Sequence, residues 1–113
     1  MLAKIGVAVA AVLIMTGAAS ADPIEGNWKT KNGDIAAISS CGGSFCIKLT
    51  SGQYAGESIG TMSASGANSY TGSITKPSNG KTYSGSAKLS GNSLNLSGCV
   101  LAILCESQTW KKL

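Results

Sequence analysis

The sequence has no histidine and no arginine. Without histidine there is no Ser-His-Asp or Cys-His machinery and no imidazole-ligated metal. Charged residues make up only 12% of the chain, and all nine basic residues are lysine, against five acids. The lysines are scattered. A formal net charge of +4 spread this way, without a basic cluster, argues against nucleic-acid recognition. Aromatic residues are few, at 5%, and there are two prolines. No stretch after residue 21 carries an apolar period of helical spacing, which excludes helical architectures.

What is present begins with an export pattern. Lys4 precedes an apolar segment from Ile5 to Met15, and Ala19-Ser20-Ala21 forms a small-residue cleavage site before Asp22. Residues 1–21 therefore read as a signal peptide and 22–113 as a single domain. The apolar run falls short of the ~20 residues that a membrane-spanning helix needs. A core this small is marginal without covalent help. Four cysteines in a small exported domain imply two disulfides, with three possible connectivities. Spacing favours Cys41–Cys46 and Cys99–Cys105. A two-residue Gly43-Ser44 turn would set Cys41 opposite Cys46, and Cys99 and Cys105 bracket Val100-Leu101-Ala102-Ile103-Leu104. A four-thiolate zinc site is the alternative, although no CxxC pair is present.

Gly, Ser and Thr supply well over a third of the residues from Asp22 onward, a composition of light strands and tight turns. Period-2 segments predict eight strands: 24–31, 34–41, 45–51, 57–65, 68–76, 81–89, 93–98 and 106–113. Alternation points Ile24, Trp28, Ala36, Ile38, Phe45, Ile47, Leu49, Tyr70, Ile74, Tyr83, Leu89, Leu94, Leu96 and Trp110 to one face, with lysines, serines and Cys46 on the other. Such strands make a sandwich or a barrel. The short connections favour an all-β, eight-stranded antiparallel up-and-down barrel with two local disulfides, because closure removes exposed edges. Tyr70-Thr71-Gly72 and Tyr83-Ser84-Gly85 fall on adjacent strands and face the same side. Tyr70 and Tyr83 are thus candidates either to line a ligand pocket or to cover cross-strand glycines. Asp34, Glu57 and Glu106 are the acids available for proton transfer, but nothing in their spacing pairs them.

Gly26-Asn27-Trp28 on the first strand resembles the G-x-W of calycin barrels, the lipocalin and avidin kind. That likeness implies that Gly26 and Trp28 mark one barrel end, with a cation from the last strand, Lys112 or Lys111 beside Trp110, laid over the indole. The chain from Asp22 also resembles the bacterial "domain of unknown function 2147" family of small exported proteins. The matching segments are 22–28, Cys41-Gly42-Gly43, 79–85, Gly98-Cys99 and 105–110. It departs from that pattern at Ser97 and Glu106, where basic residues are usual, and at Lys112, where arginine is. The segment between Leu49 and Tyr70 is also shorter than in many members.

The function expected from these features is a non-enzymatic binding module of the cell envelope, periplasmic or secreted. It is expected to be monomeric and to hold a small apolar ligand at the open barrel end. No cofactor, metal, nucleic acid or transmembrane span enters this expectation. The alternative is a module that binds an envelope or host protein, such as an inhibitor of a periplasmic or host hydrolase. The apolar segment 100–104 supports that alternative if it stands out as an anchor. Capping one barrel end is the expected arrangement, since exposed apolar patches are uncommon on monomers. Ligand would then enter at the other end.

Overall fold

The computed structural model describes residues 22–100 and 104–113. Eight strands follow one another: β1 (Gly26–Lys29), β2 (Ile35–Cys41), β3 (Ser44–Leu49), β4 (Ser58–Gly66), β5 (Ser69–Thr75), β6 (Thr82–Ser90), β7 (Ser93–Val100) and β8 (Leu104–Lys112). Each pairs antiparallel with the next. The pairs Trp28↔Lys112 and Lys29↔Lys111 join β1 to β8 and close the sheet into a barrel. Closure gives each strand a hydrogen-bonded neighbour on both sides, so short, Ser- and Gly-rich strands can form a sheet. The expected all-β up-and-down barrel is the observed one.

Its core is a single cluster that includes Ile24, Trp28, Ile47, Met62, Leu94 and Trp110, with no buried polar or charged residue among those described. All fourteen residues expected to face inward do so, eleven fully buried and Phe45, Ile74 and Tyr83 partly. Ile59 and Met62 join them. Strict alternation would set these two on opposite faces. A β-bulge resolves the conflict: Ile47 pairs with Gly60 and Lys48 with Ser58, so Ile59 is an extra residue on β4. Its side chain turns inward, and so does that of Met62 three residues later.

Both disulfides form with the expected pairing, Cys41–Cys46 and Cys99–Cys105. The register of the first differs from the expectation. Cys41 pairs with Ser44 and Ser39 with Cys46, so the half-cystines are diagonal neighbours with Cα atoms 5.8 Å apart. The turn is Gly42-Gly43, not Gly43-Ser44. Both central residues have positive φ, 59° and 86°, as a type I′ hairpin requires, and glycine alone adopts this freely. Cys99 and Cys105 face each other directly in the β7–β8 ladder, 4.0 Å apart at Cα. That ladder extends one rung further, to Val100↔Leu104. The signal peptide and the cap expected of 100–104 lie outside the residues whose side chains are described.

The two barrel ends differ. At one end lie the tight turns 42–43, 67–68 and 91–92 and the incoming residues 22–25; at the other, the longer connections 30–34, 50–57 and 76–81 and the tip of β7–β8. The first end is plugged. Trp28 is fully buried there, and its indole N–H donates to the Ile24 carbonyl at 2.9 Å. Lys112 Nζ lies 4.9 Å from the Trp28 ring centroid and donates to the Pro23 and Glu25 carbonyls, both at 2.8 Å.

Candidate functional site

Opposite the plug, the strand ends and longer connections surround a cavity of about 400 Å³. The volume lies within the range of small-molecule sites. Leu49 (β3), Ile59 (β4), Ile74 (β5) and Leu96 (β7) supply apolar wall, and Tyr54 from the β3–β4 connection closes over the same side. The bulge matters here, since it aims Ile59 into the space instead of at solvent.

One strand is different. On β8 the inward positions fall at Glu106, Gln108 and Trp110, two residues apart, and all three line the cavity. Trp110 N–H donates to Gln108 Oε1 at 2.6 Å. Nearest the mouth, Glu106 accepts from Lys76 Nζ at 3.2 and 3.3 Å and from the Tyr83 hydroxyl at 3.4 Å. Both members of the Lys76–Glu106 pair are about half exposed, so it contributes little stability. Asp34, Thr30, Asn32 and Gln53 complete a polar rim. The cavity therefore has apolar walls and a polar stripe on β8.

The two candidate tyrosines share the inner face and part at its ends. Tyr83 pairs with Ile74 near the mouth and lines the cavity. Its side chain also covers Gly98, where an added Cβ would meet Tyr83 Cβ at 3.0 Å. Tyr70 pairs with Ala87 toward the plug and does not line the cavity. It packs edge-on against Phe45, centroids 5.8 Å apart, and donates its hydroxyl to Asp22 Oδ1 at 2.5 Å. Burial above all, with the hydrogen bond and charge of Asp22 adding to it, pushes the Tyr70 phenol well above its ordinary value. Of the three acids, Asp34 and Glu106 reach the mouth, while Glu57 is exposed at the start of β4. Gly26, Trp28 and Lys112 sit together at the plug. Trp110 points inward instead, onto the cavity floor. Sequence reasoning missed Gln108, which carried a signal: it is the polar residue at an inward step between Glu106 and Trp110. It also missed Ile59, which carried none, because the bulge that turns it inward leaves no mark on the alternation.

Fold and site together define a small closed barrel, plugged at one end and hollow at the other. The chain belongs to the bacterial family described as "Uncharacterized protein conserved in bacteria (DUF2147)", whose model matches residues 53–112. That span runs from the β3–β4 connection to the end of β8 and so includes most of the cavity wall. No curated protein and no solved structure matches the chain.

Proposed function

We propose that this protein is a non-enzymatic exported binding module that holds one small apolar ligand in the mouth of its barrel. The observation that carries this reading is the cavity of about 400 Å³, apolar along β3–β5 and confined to one end because the other is filled by Trp28 and its neighbours. An eight-stranded barrel leaves an interior that is either just filled or takes one small ligand. Two disulfides in a chain of this size fit an oxidising compartment, periplasmic or extracellular. No helix among the described residues is long and apolar enough to cross a membrane.

The test is native mass spectrometry of protein gently extracted from its source, together with titration of the emptied protein by naphthalene in equilibrium dialysis. Retained extra mass, or saturable binding of one naphthalene per chain, is expected. A clean apo mass together with no binding would overturn the reading.

A further inference from the structure

Resting on that reading, we infer that the ligand is a compact neutral molecule with one apolar face and a carbonyl-type acceptor, not an alkyl carboxylate. The inference comes from the β8 stripe. The Trp110 indole can only donate, so the atom it meets at 2.6 Å must be the Gln108 carbonyl oxygen. That contact fixes the amide orientation and leaves the NH₂ group of Gln108, a residue that lines the cavity, with no hydrogen bond to protein among the described residues. An N–H donor held in place within a largely apolar pocket favours a ligand that accepts, because an unpaired donor covered by hydrocarbon is costly. β8 lies across the barrel from β4, and Leu49, Ile59 and Ile74 on β3–β5 face the stripe. A ligand that satisfies both walls carries its acceptor on one edge and hydrocarbon on the other.

Charge at the mouth selects against anions. Asp34 and Glu106 line it with the single ammonium of Lys76, which Glu106 already holds at 3.2 Å. An entering carboxylate would meet two like charges and no free cation among the lining residues.

The experiment is equilibrium dialysis of the disulfide-bonded protein at pH 8 against three matched probes: 2-acetonaphthone, naphthalene and 2-naphthoate. The ketone should bind roughly tenfold tighter than the hydrocarbon, the worth of one net hydrogen bond, and the naphthoate weakest. Gln108→Glu keeps an acceptor for Trp110 and removes the donor. It should lose the ketone's advantage over naphthalene. In the unsubstituted protein the Gln108 side-chain amide protons should move further downfield with ketone than with naphthalene, a readout independent of how the variant folds. Equal affinity for ketone and hydrocarbon, an unmoved amide resonance, a preference that survives in Gln108→Glu, or naphthoate binding best would each overturn the inference while leaving the binding module standing. Failure of all three probes, together with a clean apo mass, would overturn both.

Discussion

Lys112 is held on three sides, by two backbone carbonyls and by the face of Trp28. The ammonium thereby ties the end of β8 to residues 23–25, which enter β1 from across the plug. Charge-assisted hydrogen bonds are worth about 1.5–3 kcal/mol each in favourable cases, and a cation over an indole adds about 0.5–1 kcal/mol. Partial exposure of Lys112 reduces both. Lys112→Met, which keeps the stem and removes the charge, is expected to cost roughly 1–3 kcal/mol by chemical denaturation. An unchanged midpoint would show that the plug holds without it. Tyr70 makes a second residue-scale prediction, with a definite sign. Its folded pKa lies above the ordinary value near 10, so the folded state keeps a proton that the unfolded chain releases. The associated stability is fully present below pH 10 and is lost as pH rises beyond it. Tyr70→Phe should be destabilised by about 1 kcal/mol at neutral pH through loss of the Asp22 bond. It should also show a shallower fall in stability above pH 10 than the parent. The two proteins differ at this position alone, so the difference between the curves isolates Tyr70, and parallel curves would refute this account.

At the scale of elements, the barrel's curvature depends on where β4 and β5 come close. A Cβ at Gly72 would collide with the Thr61 carbonyl oxygen and come within 2.9 Å of Met62 Cα, both backbone atoms that cannot step aside. At Gly85, directly opposite on β6, the obstacles are the flexible ends of Ile74 and Met62 at 3.1–3.2 Å. Gly72→Ala is therefore expected to abolish cooperative folding, and Gly85→Ala to cost only about 1 kcal/mol. Circular dichroism melts decide it, and the reverse order would mean that the β4–β5 approach is looser than the geometry implies. The disulfides act on short hairpins, where chain entropy gives about 2 kcal/mol each. Reduction should lower the melting temperature and leave the strands paired. These elements also show what the sequence reveals and what it hides. Eight strands, their order and the inward residues follow from period-2 alternation between turn signals. The Cys41–Cys46 pairing was legible, but its register was not, because it depends on two adjacent glycines accepting positive φ and not on cysteine spacing. Ile59 was hidden by the bulge. Gln108 was legible in principle, since it stands on the same alternating face as Trp110.

On the proposed reading, stability and binding belong to opposite ends of the molecule. Trp28, Ile24, Tyr70 and Lys112 fill one end and tie the incoming chain to the last strand, while the space bounded by Ile59, Ile74, Leu96 and Gln108 lies at the other. A substitution at the plug should act on folding, and one at the mouth on ligand alone. Trp28→Ala removes the largest fully buried side chain and is expected to cost on the order of 3–5 kcal/mol, enough to unfold a domain of this size. Ile74→Phe adds bulk where there is room. Ile74 is only partly buried and faces the cavity, so the larger ring can project into empty space instead of forcing neighbours apart. Its expected cost is below about 1 kcal/mol, less than the 1–3 kcal/mol typical of overpacking a filled core. It should also weaken naphthalene binding at least tenfold by occupying the site. Thermal melts and equilibrium dialysis on the two variants separate the roles. If Ile74→Phe destabilised the protein as strongly as Trp28→Ala, the mouth would have to be as tightly packed as the plug, and the barrel would have no room for a ligand.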